Sequence, residues 1–344
     1  MKKNSTTTLL SVVVYILKSN YLLFTYLFVP ILINDYKNTA YLAPIISFVG
    51  IFILVLILPK QYGEIDYNGI MKKSFIVKTV FGLVQAISMV LNILITTYTI
   101  GRVFFYENNI NIFLLVTIGV VLFASASDSS TILNSSTFLL IASALLVVIP
   151  IFLTNDVKDY TLLKPFLVHK DYSFILLLYF GLDAITFNVS GAKLIKGKLT
   201  KWHLLIPLSM LFFLMSLQII NIILVTGTTF LVDNEFLGFF SLFIQDTINY
   251  IGNLGLLFLL VIPIVGIYKS AYSLRQIKEA FNIKNGVISN IIIYAILAFS
   301  LFLALNFLNI NSLSYLLTFI SIICFSVLYL FINLNRSKNY EIRF

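Results

Sequence analysis

Long apolar runs separated by short polar segments dominate the chain. Ten runs can be followed, at about residues 9–33, 41–58, 75–105, 110–124, 132–153, 172–189, 202–225, 236–268, 287–308 and 313–334. A transmembrane helix needs roughly 20 mostly apolar residues, and most of these runs are close to that length. Backbone groups cannot stay unpaired in lipid, and barrel strands would be shorter and alternating. The pattern therefore predicts an all-α integral membrane protein with about ten transmembrane helices.

Composition supports this interpretation and excludes a soluble enzyme. Hydrophobic residues make up 60% of the 344 and charged residues 11%, against about a quarter charged in a soluble domain. We expect a single transmembrane domain over residues 1–344, because no polar segment is long enough to form another. One cysteine excludes an intramolecular disulfide, and two histidines leave little for a metal site. We therefore expect no cofactor and no metal.

The net charge of +9 is explained by the distribution of basic residues along the chain. With ten spans and the N-terminus inside, most of the 23 lysines and arginines fall in alternate loops, as the positive-inside rule requires. One of these loops contains Lys269, Arg275, Lys278 and Lys284. We expect the chain to lie in the cytoplasmic (inner) membrane with both termini cytoplasmic. The lipid bilayer, rather than nucleic acid, then accounts for the positive charge.

Among the charged residues inside the apolar runs, three stand out because they lie well away from the ends, namely Lys18, Asp183 and Asp246. A charge at the centre of a span costs about 2.5–3.5 kcal/mol on insertion scales, so each is a functional candidate. A buried acid without a partner takes up a proton, so Asp183 is either a proton carrier or the counter-charge of Lys18. We expect Lys18, Asp246 and Asn249 to act in coupling or gating. Alternatively, Lys18 snorkels to the headgroups and Asp246 marks a late start of the eighth span.

Polar interruptions occur at equivalent positions in the first and sixth spans. Ser19 and Asn20 follow Lys18, and Gly181 precedes Asp183, where a glycine beside an acid can unwind the helix. Broken first and sixth helices are typical of a transporter with two inverted repeats of five helices. The repeats would cover about residues 9–153 and 172–334.

The third span carries a polar stripe of Gln85, Ser88, Asn92 and Thr96, spaced three to four residues apart. Such a stripe faces a cavity or forms interhelical hydrogen bonds, and the sequence leaves both alternatives open. The predicted substrate-binding residues are Ser19, Asn20, Gln85, Asn92, Gly181 and Asp183.

Several segments resemble the spore-germination permease subunits, the B-type components of germinant receptors. Residues 23–30 and 34–42 are similar to their first two spans, with a proline closing the first and an aromatic-leucine pair opening the second. Residues 179–183, Tyr-Phe-Gly-Leu-Asp, resemble their aromatic-glycine-x-acid motif, with aspartate where glutamate is commoner. The glycine-rich interruption usual in the first span is absent. The resemblance places the chain in the amino acid–polyamine–organocation transporter superfamily.

The resemblance implies a ligand-binding subunit that recognises a small amino-acid-like solute. It also implies partner subunits, one with a large soluble domain and one lipoprotein. A proton-coupled amino acid transporter is the first alternative, and a membrane-embedded lipid-modifying enzyme is a weaker one, because the loops lack acid clusters. A scaffold that keeps the fold without a binding cavity is the remaining alternative. We expect the protein not to be an enzyme.

Overall fold

The computed structural model describes a chain that is almost entirely helical. The described residues are 24, 28–58, 74–105, 110–135, 151–152, 155, 158–163, 173–191, 200–227, 254–307 and 310–340. No strand occurs within these ranges. Their α-helices are α1 (Val29–Tyr36), α2 (Leu42–Ile57), α3 (Phe75–Tyr98), α4 (Asn111–Ala124), α5 (Ser129–Ser135), α6 (Leu178–Gly191), α7 (Trp202–Thr226), α8 (Leu254–Phe281), α9 (Val287–Phe307) and α10 (Ile310–Tyr340).

Three described helices are long and apolar enough to cross a membrane. They cover Phe75–Gly101, Trp202–Val225 and Val287–Asn306, which match the predicted third, seventh and ninth spans. Two sharply bent pairs raise the number to five if each pair is one span, with bends of 107° between α1 and α2 and 112° between α4 and α5. The apolar helices agree with a membrane protein. The count of ten spans and the inverted repeat stay predictions.

The first bend is formed by a short connection between α1 and α2. A 3-10 turn at Lys37–Thr39 follows α1, and Lys37 adopts a positive φ of 49°. The Thr39 hydroxyl donates a hydrogen bond of 2.8 Å to the Tyr36 carbonyl, which closes the turn. The proline predicted to close the first span, Pro30, instead lies in the first turn of α1, where its missing N–H costs no helical hydrogen bond.

Helix α8 extends well past the point where the sequence predicts its end. The eighth apolar run stops at Tyr268, but the helix continues through Lys269 and Arg275 to Phe281. It stops at Asn282, whose φ of 56° is left-handed, a conformation that asparagine tolerates at helix ends. The assignment of Lys269, Arg275 and Lys278 to a loop was therefore wrong. An apolar count cannot follow a helix whose later turns carry polar residues toward other helices.

Helix α3 lies at the centre of the packing. Its most extensive contact is with α8, and it also packs against α10 and α4. Of the 18 consecutive residues that form its apolar segment, 72% are buried, whereas only 6% of the corresponding residues of α9 are buried. Helix α6 packs against α10 and α2, and α2 packs against α7. The interior is thus built around α3, α6 and α8, and α9 has an exposed apolar surface.

Candidate functional site

A buried ion pair joins α6 to α8. The Lys269 Nζ lies 2.5 Å from the Asp183 Oδ2, and both side chains are only 3% exposed. Removing two charges from water costs several kcal/mol per ion, and the attraction offsets this cost only when the geometry is close. Such a pair is weak support for stability as such, so its presence in the interior points toward a functional role.

Two aromatic side chains precede Asp183 on α6 and are buried. Phe180 makes edge-to-face contacts with Phe24 and Phe28, and Tyr179 makes one with Phe325 of α10. Tyr179 and Phe180 are completely buried. Asp183 follows Tyr179 by one helical turn, so the carboxylate lies on the same face of α6 as the phenol.

The polar stripe of α3 is buried as well. Gln85, Ser88, Asn92 and Thr96 are at most 4% exposed. The Tyr179 hydroxyl of α6 lies close to the Ser88 hydroxyl, and the Ser270 hydroxyl of α8 donates a 3.3 Å hydrogen bond to the Met89 carbonyl. The stripe therefore faces the protein interior beside the ion pair.

On α8, buried polar side chains continue from Lys269 at helical spacing, with Ser273 and Gln276 one and two turns further on. We call the combined set of α3, α6 and α8 side chains the polar centre; its members are Gln85, Ser88, Asn92, Thr96, Tyr179, Asp183, Lys269 and Ser273.

Several polar atoms of this centre make no hydrogen bond of normal geometry to any residue that the structure describes. They are Ser88 Oγ, Asn92 Oδ1, Thr96 Oγ1, Tyr179 Oη and Ser273 Oγ. The Asn92 amide does donate one 2.7 Å bond, to the Ser88 carbonyl. Unsatisfied buried polar groups are few in native proteins, and each calls for an explanation such as a ligand, a water or an ion. The polar centre is therefore able to offer both charges and hydrogen-bonding groups to a polar guest.

Three of the predicted site residues are buried on described helices, Gln85 and Asn92 on α3 and Asp183 on α6. Lys18, Ser19, Asn20, Asp246 and Asn249 lie outside the described residues.

Gly181 has a different role from the predicted one. Helix α6 is continuous from Leu178 to Gly191, so it does not unwind at this glycine. A Cβ at Gly181 would lie 2.2 Å from Ile51 Cδ1, which no real contact allows. The glycine therefore permits close packing of α6 against α2 and fixes α6 in position. The break expected in the sixth span at Gly181 is not present.

Lys269 is the residue that the sequence interpretation missed. It was counted as an orientation signal in a loop, and Lys18 was considered as the counter-charge of Asp183. A usable signal was present, because Lys269, Ser273 and Gln276 repeat at the spacing of one helix face directly after an apolar run.

No protein-family profile matches the chain, and no curated protein matches it either.

Within the described ranges, no group of three or more His, Cys, Asp or Glu side chains is arranged to hold a metal ion.

Proposed function

We propose that this chain is a permease-like membrane protein that recognises a small polar solute of the amino-acid class at the polar centre. The observation that carries the proposal is the buried Asp183–Lys269 pair, 2.5 Å apart, among polar atoms that make no regular hydrogen bond within the described part of the chain. The proposed form is the ligand-binding subunit of a spore germinant receptor in the inner membrane, acting with other subunits and without enzymatic activity. That form is supported by the resemblance of residues 179–183 and of the first two predicted spans.

The chemistry of a zwitterion suits this pair. An amino acid carries one ammonium and one carboxylate, which can pair with Asp183 and Lys269 respectively. Binding then replaces one buried ion pair by two, and it adds no net charge to the interior. The polar atoms Ser88 Oγ, Asn92 Oδ1 and Tyr179 Oη, which make no regular hydrogen bond to described residues, are available for the remaining polar groups of the solute.

Access to the polar centre requires movement, because its side chains are almost completely buried. A solute must separate α6 from α8 to reach Asp183. The ion pair thus links the two helices, and a solute must compete with it. This arrangement links recognition to a change in helix packing, which a receptor could pass on to partner subunits.

A proton-coupled amino acid transporter is the second candidate, favoured by the burial of Asp183. Acidic side chains buried in membrane spans are the groups from which the proton relays of transporters are built. Transporter and receptor then share one site and differ in whether the solute is released on the other side. Uptake of radiolabelled amino acid into proteoliposomes separates the two candidates, since a receptor binds without accumulating solute.

A thermal-stability screen of the purified full-length protein against individual amino acids tests the proposal. A ligand that binds the folded state at 100 times its Kd stabilises the protein by about 2.7 kcal/mol. We expect at least one amino acid to raise the Tm of the wild type. The double variant Asp183→Asn with Lys269→Gln should lose this response and still fold, because it leaves no unpaired charge.

Asp159→Asn provides the matched control. Asp159 lies outside the polar centre, and hydrogen bonds from the Thr161 hydroxyl and backbone N–H hold its pKa below the usual range. The Asp159→Asn variant therefore also removes an ionised aspartate, and we expect its ligand response to equal that of the wild type. The proposal is wrong if no amino acid stabilises the protein, or if the double variant responds as the wild type does.

A further inference from the structure

A polar pocket of about 390 Å³ lies at the C-terminal end of α8, apart from the polar centre. Its polar lining consists of Arg275, Lys278, Glu279, Asn282, Lys284 and Asn285. Three cationic side chains thus face one carboxylate, and the two asparagines add amide donors. The lining has the charge and the donors that an anion requires.

Arg275 is already neutralised by neighbouring acids. Its Nε lies 2.9 Å from the Glu279 Oε1, and a terminal nitrogen lies 3.3 Å from the Asp128 Oδ1. Glu279 also accepts a 2.8 Å hydrogen bond from the Ser129 hydroxyl. These contacts tie α8 to α5 and use the acids near the pocket, so they do not compensate the two lysines.

The two lysines have no acidic partner among the described residues. Lys278 donates to two neutral oxygens, Ser125 Oγ at 3.2 Å and Asn290 Oδ1 at 2.9 Å, although its side chain is only 2% exposed. Lys284 is exposed, and no ion pair within the described ranges involves it. A buried ammonium held only by neutral acceptors is stabilised further by an anion.

The turn that carries Lys284 is held in place by hydrogen bonds. The Ser289 hydroxyl donates a hydrogen bond of 2.7 Å to the Lys284 carbonyl and accepts one of 3.1 Å from the Gly286 N–H. At the other end, the Ile283 N–H donates 2.8 Å to the Lys278 carbonyl. The two lysines are therefore presented from a fixed helix end and a fixed turn.

The pocket lies where the lipid-facing surface of α9 begins. Helix α9 starts at Val287, which is 77% exposed, and Ile288 and Ile291 are exposed as well. Helix α9 has a mean hydropathy of 2.4, and only 6% of the residues in its apolar segment are buried. Its exposed side can therefore contact acyl chains. Charged side chains at the end of such a helix lie at the level of the lipid headgroups.

We propose that this pocket binds the phosphate group of an anionic phospholipid, with Lys278 and Lys284 as its main contacts. Basic pockets between transmembrane helices are known to take anionic headgroups. The adjoining surface of α9 favours a lipid over free phosphate, because it can hold the acyl chains of the same molecule. The site is separate from the polar centre and does not depend on the function proposed there.

The test measures lipid retention by the purified full-length protein in detergent, using native mass spectrometry. Dioleoylphosphatidylglycerol, dioleoylphosphatidylcholine and inorganic phosphate are titrated separately into the wild type, Lys284→Gln and Lys278→Gln with Lys284→Gln. One basic residue contributes about 1 kcal/mol to anionic-lipid binding, which is about fivefold in affinity. We expect phosphatidylglycerol binding to fall about fivefold in the single variant and further in the double variant, and phosphatidylcholine binding to stay unchanged.

Lys201→Gln is the control, because it removes the same charge at a position outside the pocket. Its phosphatidylglycerol binding should equal that of the wild type. If the double variant does not fold, Lys284→Gln decides the result, since Lys284 is exposed. Equal phosphatidylglycerol binding by the wild type and Lys284→Gln overturns the proposal. Binding of inorganic phosphate without phosphatidylglycerol supports an anion site but overturns the lipid as its occupant.

Discussion

Helices α3 and α9 are similar in sequence character and opposite in environment. Their spans have mean hydropathies of 1.9 and 2.4. Even so, 72% of the residues in the apolar segment of α3 are buried, and only 6% of those in the apolar segment of α9 are buried. Apolar residues alone therefore do not tell an interior helix from a peripheral one, because lipid and protein interior are both apolar. The difference lies in the polar residues, which on α3 form a stripe of Gln85, Ser88, Asn92 and Thr96.

Two lysines, Lys269 and Lys284, also differ in whether their surroundings are buried or exposed. Lys269 lies in the interior beside α3 and pairs with Asp183, whereas Lys284 is exposed next to the start of α9. Both are lysines close to an apolar run, and both were assigned to one loop from the sequence. Their surroundings give them different energetic consequences, which mutations can measure.

The largest effect is expected for Lys269→Met. It leaves the Asp183 carboxylate buried without its partner, which destabilises a protein by about 3–5 kcal/mol. Lys284→Met should change the unfolding free energy by less than about 0.5 kcal/mol, because exposed sites tolerate substitution. Urea or thermal unfolding in detergent measures both. Adding Asp183→Asn to Lys269→Met should restore much of the loss, and a double variant no more stable than the single one would contradict a direct pair.

An intermediate effect is expected for Gly181→Ala. Its Cβ would lie 2.2 Å from Ile51 Cδ1, and overpacking of this kind costs about 1–3 kcal/mol. Gly119→Ala is the matched control, since its Cβ meets only Tyr294 of α9, at 4.0 Å, and alanine favours a helix by up to about 1 kcal/mol. Opposite Tm shifts are expected. Ile51→Ala should relieve the cost in Gly181→Ala, and a lack of rescue would place the strain elsewhere.

The smallest effect is expected for Ile93→Ala on α3. In lipid, the transfer part of a truncation largely vanishes because lipid is as apolar as the core. The cavity part remains, and at about 24 cal/mol per Å³ it amounts to roughly 1–2 kcal/mol for the lost methyl groups. Ile292→Ala on α9, where the side chain is 52% exposed, creates no cavity and should cost much less. Equal losses would mean that α9 is covered by another surface.

The sequence was sufficient for features that depend on local composition. The apolar runs located α7 and α9 nearly to the residue, and they located the start of α3, because polar turns bound these helices. The intramembrane position of Asp183 singled out a residue that is buried and paired. The stripe on α3 identified an interior face, since polar side chains in a span avoid lipid.

Features that depend on contacts between distant segments could not be predicted. The partner of Asp183 is 86 positions away on α8. The spacing of Lys269, Ser273 and Gln276 indicates a helix face, but it does not indicate which residue Lys269 pairs with. Gly181 was interpreted from its neighbour Asp183, but its requirement comes from Ile51 on another helix. The extent of α8 beyond Tyr268 follows from its packing against α3, which an apolar count does not include.

The length of α8 has a consequence for the depth of the ion pair. Lys278, at the pocket, and Lys269 are nine residues apart on one helix, which corresponds to about 13 Å along its axis. Half the hydrocarbon thickness of a bilayer is about 15 Å. The lipid site proposed at Lys278 would place the Asp183–Lys269 pair near the midplane, almost equally far from the two aqueous phases. A solute or a proton arriving from either side would then meet the pair after a path of similar length.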